Sequence, residues 1–245
     1  MIGIVAALTI RQMFSRARTI LIGLIALLPI GLAFLYRADR GTDSPEEWAT
    51  GLLFEVLVAS TLLPLAALIN GTAALGAEIE DGTAVYLLAK PVPRSRIVLG
   101  KLLGAWVATV AVMIPSVLGA AIVAAGGLGE ARVVPGLALA LAVGSLVYCA
   151  LFLMVSIHTS RALIGGLVYV FVWEGLINGF FGGTRLLSVR HYTLAIADGI
   201  IDLPRFAFHA KLGFATAVVA AVVVTVAATW QAIRRLQRFE IGETA

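Results

Sequence analysis

The sequence predicts an all-α integral membrane protein with six transmembrane helices. Of its 245 residues, 60% are hydrophobic and only 13% are charged, whereas soluble domains are nearer half apolar and a quarter charged. The mean hydropathy is +1.01, and apolar runs near the length that crosses a bilayer, about 20 residues, recur along the chain. We therefore expect a single transmembrane domain over residues 1–245.

The same composition excludes other classes of protein. Intrinsic disorder requires low hydrophobicity and a high net charge, but the net charge here is +4. A disulfide framework or a multi-thiolate metal site requires several cysteines, and the sequence has only Cys149.

Six apolar stretches are predicted to span the membrane. They cover residues 19–36, 51–77, 97–125, 136–157, 162–180 and 208–233. Pro29, Pro64 and Pro115 lie inside the first three, and we expect kinks there because proline removes a backbone hydrogen bond. The second and third spans exceed the thickness of the hydrocarbon core, so they must tilt, kink or project into water.

An amphipathic helix is predicted over residues 2–14, before the first span. Apolar residues there stand beside Thr9, Arg11 and Gln12, which is typical of a helix lying in the membrane interface. A signal peptide is the competing interpretation. The first span is longer than a signal-peptide core and lacks a small-residue cleavage site, so we expect an uncleaved anchor.

The distribution of Lys and Arg predicts that both termini are cytoplasmic. With the N-terminus inside, the predicted cytoplasmic segments hold 11 of the 18 basic residues and the external segments hold 7. Basic segments are retained in the cytoplasm, so this bias fits a multi-pass protein of the cell membrane. The basic character then reflects topology, and nucleic acid is not an expected partner.

The external segment 181–207 is too long for a simple turn. Leu187, Leu194, Ala197 and Ile201 recur there at near-helical spacing, so we expect one or two short re-entrant helices that dip into the outer interface. An ordinary solvated loop is the alternative.

The cytoplasmic loop 78–96 is predicted to hold a short helix. Thr83 can cap a helix over residues 85–88, and Ser95 can cap the third span. A short helix with an apolar face, held between two long spans, can fit a groove on a partner and pass its motion to both spans. The alternative is a helical hairpin turn with a solvated acidic flank.

Nucleotide-binding and hydrolytic motifs are missing from the sequence. A phosphate-binding loop requires G-x-x-x-x-G-K-[ST], and the nearest candidate, Gly100-Lys101, is followed by Leu102. Ser145 has no nucleophile elbow around it, and H-E-x-x-H does not occur. We therefore expect no catalytic residue, metal or cofactor on this chain.

The cytoplasmic loop resembles the segment after the second span in permease subunits of type 2 ABC transporters. The run E-x-E-D-G-T-A-V-Y-L-L-A-K-P-V-P-R-S-R-I-V-L-G-K-L-L, which starts at Glu78, is similar to that family's pattern of an acid, Gly-Thr, Leu-Leu, Pro-Val-x-Arg and Gly-Lys. The resemblance extends to the amphipathic N-terminal helix, the six spans and the long external segment.

The resemblance implies a partner and a role. In that family a permease pairs with a second permease and with two cytosolic ATPases, which hold ATP and Mg, and the coupling helix after the second span contacts the ATPase. It implies that residues 2–14 form an elbow helix and that the chain is the permease of an exporter. The residues that it assigns to ATPase coupling are Glu78, Glu80, Asp81, Gly82, Thr83, Val85, Tyr86, Leu87, Leu88 and Arg94.

Two carboxylates lie inside predicted spans. A charge in the bilayer is costly and usually faces the bundle interior or a wet cavity, often with a partner. Glu55 is near enough to the outer end of its span to reach headgroup water or Arg37. Glu174 lies deeper, so it is protonated, paired with Arg185 or Arg190, or facing a translocation path. The candidate path residues are Glu174, Glu55 and Asn178.

Two other functions remain open at this point. A secondary transporter should show repeated halves and discontinuous helices, and we find no repeat. A non-transporting membrane anchor or assembly factor would use the external segment and leave the cytoplasmic loop idle. The transported substrate is not predicted by any of these features.

Overall fold

The structure is a computed structural model, and it describes residues 3, 6, 8–9, 16–39, 44–83, 92–125, 133–159, 161–177, 182–202 and 210–238. Every regular element in these ranges is helical, which confirms the predicted all-α class. In chain order they are α1 (Arg16–Asp39), α2 (Pro45–Glu47, Trp48–Leu62 and Leu63–Glu80 in succession), α3 (Arg94–Ala125), α4 (Val133–His158), α5 (Ala162–Val168 and Tyr169–Ile177 in succession), a 3-10 turn (Gly182–Leu187), α6 (Val189–Ile201) and α7 (Phe214–Gln237).

Five of the described helices are long and apolar enough to cross a membrane. They are Ile20–Asp39, Trp48–Ile79, Arg94–Ala124, Val133–His158 and Phe214–Gln237. The predicted fifth span corresponds to the shorter apolar helix Ala162–Leu176. The multi-pass prediction is therefore confirmed, while the count of six spans stays a prediction.

Two stretches are wound as π-helix, Trp48–Leu62 in α2 and Tyr169–Ile177 in α5. At the end of the first, the N–H of Leu63 donates to the carbonyl of Val58, five residues back. α-Helical winding resumes at Leu63, so Pro64, which has no N–H to donate, lies where the winding changes from π to α.

The start of α2 differs from the prediction. The helix begins at Pro45 instead of Gly51, because Ser44 and Glu47 form a capping box. The Glu47 N–H donates to Ser44 Oγ (3.2 Å), and the Ser44 N–H donates to the Glu47 carboxylate (3.4 Å).

The start of α3 also differs. The carbonyl of Pro93 accepts from the N–H groups of Arg96 and Ile97, and the helix begins at Arg94. Ser95 therefore lies inside the first turn, and the prediction that it caps the third span is wrong.

Helix α4 is central to the bundle and packs against α2, α3, α6 and α7. Its approach to α2 is close, because two glycines of α2 face it: Gly71 faces Cys149 and Phe152, and Gly76 faces Ser156. A side chain at Gly71 would place Cβ 3.0 Å from the Cβ of Phe152 and 3.3 Å from the carbonyl oxygen of Cys149. Small residues that let backbones approach are typical of membrane bundles.

The N-terminal part of the chain packs against α3. Ser116 donates to the carbonyl of Ala26 in α1 (2.6 Å). Residues 3, 6, 8 and 9 are helical, and Thr9 is buried opposite Gly104. The other residues of the predicted 2–14 helix lie outside the described residues, so its full extent stays a prediction.

Substitution Gly71→Ala is expected to destabilise the bundle, because the added methyl group meets backbone atoms of α4. Overpacking of this kind costs about 1 to 3 kcal/mol, and each kcal/mol lowers the unfolding midpoint by about 2 to 4 °C in a protein of this size. Thermal unfolding in detergent measures the effect. Gly165→Ala is the matched control, since its Cβ would meet Val155 at an ordinary 3.7 Å. Equal midpoints for the two variants would contradict the close approach of α2 and α4.

Candidate functional site

Helix α6 lies inside the bundle alongside α4 and runs antiparallel to it. Thr193 of α6 lies against Gly144 of α4, and Ile201 lies against Gly136. Eight residues separate the contacts on each helix, or about 12 Å at 1.5 Å per residue. The N-terminus of α6 therefore lies about midway along α4. At 13 residues α6 is too short to span a membrane.

The carboxylate of Glu174 lies at the N-terminus of α6. Its Oε1 accepts from the backbone N–H of Val189 (2.8 Å) and from the hydroxyl of Tyr169 (3.2 Å), and its Oε2 accepts from the hydroxyl of Ser188. Glu174 itself is only 2% exposed.

The Glu174 carboxylate supplies an acceptor that a helix starting inside a bundle requires. The first N–H groups of a helix have no partner within the helix, and its N-terminus carries partial positive charge. The Val189 N–H donates, and the hydroxyls of Ser188 and Tyr169 are within hydrogen-bond distance, so both carboxyl oxygens have partners. Glu174 therefore links α5 to the start of α6.

Two further hydrogen bonds hold the 3-10 turn before α6. The indole N–H of Trp173 donates to the carbonyl of Leu187 (3.3 Å), and the hydroxyl of Tyr192 donates to the carbonyl of Leu186. The turn is thus tied to α5 on one side and to α6 on the other.

The second carboxylate, Glu55, pairs with the first turn of α6. Its Oε1 lies 3.6 Å from Nη2 of Arg190, with the two side chains 15% and 25% exposed. Arg37, the partner that we considered from the sequence, instead donates to the carbonyl of Val123 near the end of α3 (3.1 Å). Glu55 and Glu174 both lie on π-wound stretches, a winding that is often found at functional sites.

His191 follows Arg190 on α6 and is half-buried among cations. Burial lowers the pKa of His191, and the nearby charges of Arg190, Arg185 and Lys211 lower it further, to about 4, against the opposing charge of Glu55. The imidazole is therefore neutral near pH 7.

At the other end of α2, an ion pair joins the two helices that flank the loop 78–96. Nζ of Lys101 in α3 lies 2.6 Å from Oε1 of Glu78 in α2, and the Lys101 side chain is only 3% exposed. Gly82 then ends the helix with φ at +68°, a conformation that favours glycine. The hydroxyl of Thr83 donates back to the carbonyl of Glu78 (3.3 Å).

The remaining predicted site residues are placed in part. Glu80 ends α2, Asp81 is exposed just after it, and Arg94 begins α3. Val85, Tyr86, Leu87, Leu88 and Asn178 lie outside the described residues, so the predicted roles of these side chains stay predictions.

Sequence reasoning missed Lys101 and Ser188. Lys101 was considered as a basic residue of the predicted cytoplasmic segments and as part of the Gly100-Lys101 pair. An acid and a lysine flanking one loop were a further signal, for an ion pair. Ser188 stands before the periodic part of the external segment, which is a typical position for a helix start.

Comparison with known proteins places the chain in a family. Residues 4–191 match the family model described as ABC-2 family transporter protein. The chain belongs to this family. No curated protein matches its sequence. As a member of the ABC-2 family, the chain is the membrane component of a transporter, which fits the spanning helices.

Substitution Glu174→Gln is expected to lower stability, because the new amide group places a donor against the donors at the start of α6. An unsatisfied buried group costs about 1 to 3 kcal/mol, so the thermal midpoint in detergent should fall. Glu55→Gln is the matched control, because a partly exposed ion pair contributes only about 0 to 1 kcal/mol.

Two results would contradict this role for Glu174. A Glu174→Gln midpoint no lower than that of Glu55→Gln would show that the carboxylate does not hold α6. Normal stability with lost transport would place Glu174 on the translocation path instead.

Proposed function

We propose that this ABC-2 family member is the permease subunit of an ATP-driven exporter. Two permeases, identical or homologous, form the translocation path, and two separate cytosolic ATPase subunits hold ATP and Mg and supply the energy. Family membership supports the permease role. The lack of a phosphate-binding loop in the sequence supports a separate ATPase.

The observation that carries the proposal is the ion pair between Glu78 and Lys101. The sequence similar to the family's coupling segment lies between these residues, and the pair ties its two flanking helices together. A force applied to the loop by an ATPase would therefore move α2 and α3 as a unit. The residues proposed to contact the ATPase are the loop residues Asp81, Gly82, Thr83, Val85, Tyr86, Leu87 and Leu88, together with Glu80 and Arg94 at the helix ends.

We infer the orientation of the chain in the membrane from the basic residues at the end of α7. We place the loop 78–96 and both termini in the cytoplasm, and the chain in the plasma membrane. Arg234, Arg235 and Arg238 cluster at the end of α7, and Arg234 stacks 3.8 Å over the ring of Trp230. Trp and Arg at a helix end are typical of a cytoplasmic membrane interface.

Export also requires that ATP binding favour one state of the path. A ligand shifts a conformational equilibrium only through contacts that differ between the two states. Of the path residues predicted from the sequence, Glu174 holds the start of α6, and Glu55 on α2 remains the proposed path residue. Motion of α2 from its cytoplasmic end would therefore reach the path directly.

Breaking the ion pair is expected to uncouple the permease from its ATPase. Glu78→Gln removes the carboxylate that faces the buried Lys101 ammonium, and Lys101→Met removes the cation that faces the partly exposed Glu78. Breaking a fully buried pair commonly costs about 3 to 5 kcal/mol, so each change should cost less than that and should lower permease-dependent stimulation of ATP hydrolysis several-fold. Exchanging the charges, Glu78→Lys with Lys101→Glu, should recover part of the stimulation.

The assay is ATP hydrolysis by the reconstituted complex, with thermal unfolding to confirm that each variant folds. Glu47→Gln, an exposed acid at the outer end of α2, is the matched control and should behave as the unaltered chain. Full stimulation in both single variants would contradict the coupling role. That result would favour the alternative function, a membrane anchor or assembly factor, in which the loop 78–96 has no functional role.

A further inference from the structure

Three buried polar atoms on neighbouring residues of α6 have no hydrogen-bond partner within the described part of the chain. They are Nε of Arg190 and both ring nitrogens of His191. Buried polar groups in native proteins are nearly always hydrogen-bonded, and each exception calls for an explanation such as a ligand. Three such atoms on consecutive residues make a cluster that a ligand can satisfy.

The charge around the cluster is positive. Arg185, Arg190 and Lys211 all act on His191, and Glu55 is the carboxylate that opposes them. The Glu55 carboxylate lies 3.6 Å from the Arg190 guanidinium, which is longer than a hydrogen bond. The guanidinium therefore keeps donors available for a second anionic group.

One edge of the cluster is exposed. The Arg190 and Glu55 side chains are 25% and 15% exposed, so they form its open edge. Apolar side chains of the preceding turn, Leu186 and Leu187, are exposed beside it. An occupant that meets both surfaces has an anionic head and an apolar tail.

We propose that Arg185, Arg190 and His191 bind the oxyanion head of an anionic amphiphile, a phosphate monoester or a carboxylate. Arg190 donates to the head from Nε, as guanidinium groups do to carboxylate and phosphate oxygens. His191 donates from one ring nitrogen, and the tail lies along Leu186 and Leu187. The claim that this amphiphile is the transported substrate rests on the proposed function, whereas the claim that it binds here does not.

Binding to the purified full-length permease in dodecyl maltoside tests the site. The probe is dodecyl phosphate, followed by native mass spectrometry and by the shift in thermal midpoint. Two comparison compounds separate head from tail: dodecylphosphocholine has the same tail without net charge, and inorganic phosphate has no tail. We expect saturable binding of dodecyl phosphate and at least about tenfold weaker binding of both comparison compounds.

The variants locate the site. Arg190→Gln should weaken binding of dodecyl phosphate about tenfold or more, whereas Arg238→Gln, an exposed arginine at the cytoplasmic end of α7, should leave it unchanged. Arg185→Gln is the second variant, in case loss of the Glu55 pair prevents Arg190→Gln from folding. Equal binding of dodecyl phosphate and dodecylphosphocholine, or undiminished binding in a folded Arg190→Gln or Arg185→Gln variant, would overturn the proposal.

Two sources of the anionic head are distinguished by competition. If phosphatidic acid in nanodiscs, a lipid whose head is a phosphate monoester, displaces dodecyl phosphate, the site holds a resident lipid; if it does not, the site takes a soluble amphiphile. Both results support the site. Because these measurements use the permease alone, the site can stand even if no ATPase partner exists, and that outcome would refute the proposed function separately.

Discussion

The carboxylate of Glu174 makes possible a helix that begins inside the bundle. Hydrocarbon offers no partner for backbone N–H groups, so irregular backbone at that depth must be satisfied by protein. Glu174 accepts from Val189 and Ser188 at the start of α6, and the helix can then lie between α4 and α7. Gly136 and Gly144 of α4 make room for its side chains, while Gly199 of α6 packs against Phe214 of α7.

Helix α2 connects the two ends at which chemistry is proposed. It carries Glu55, which pairs with Arg190 in the proposed anion-binding site, and Glu78, which pairs with Lys101 at the start of the loop 78–96. These two acids are 23 residues apart on one helix, or about 35 Å at an α-helical rise. A displacement imposed at the Glu78 end of α2 would therefore change the surroundings of Arg190 directly. Glu55 lies within the π-wound stretch Trp48–Leu62, and Glu78 lies in the α-helical part of α2.

Composition and hydropathy were enough to predict the all-α class and the long spans, because a helix that crosses lipid requires a long apolar run. Such a run is visible in one sequence without an alignment. Helix starts were predicted less well, since Ser44 and Pro93 act through local hydrogen bonds that hydropathy does not report. The cost of burying a carboxylate singled out Glu174, but its partners come from a segment that folds back on α5. The Lys101–Glu78 pair likewise joins two helices, and only their packing determines which charges meet.

The central claim is that this permease works in a complex with separate ATPases, and the mass of that complex tests it most directly. The permease is extracted in mild detergent at native expression, and the intact assembly is weighed by native mass spectrometry. The account predicts two permease chains, each of 25.7 kDa when both are this chain, together with two ATPase chains. A solitary permease with no ATPase bound would contradict it.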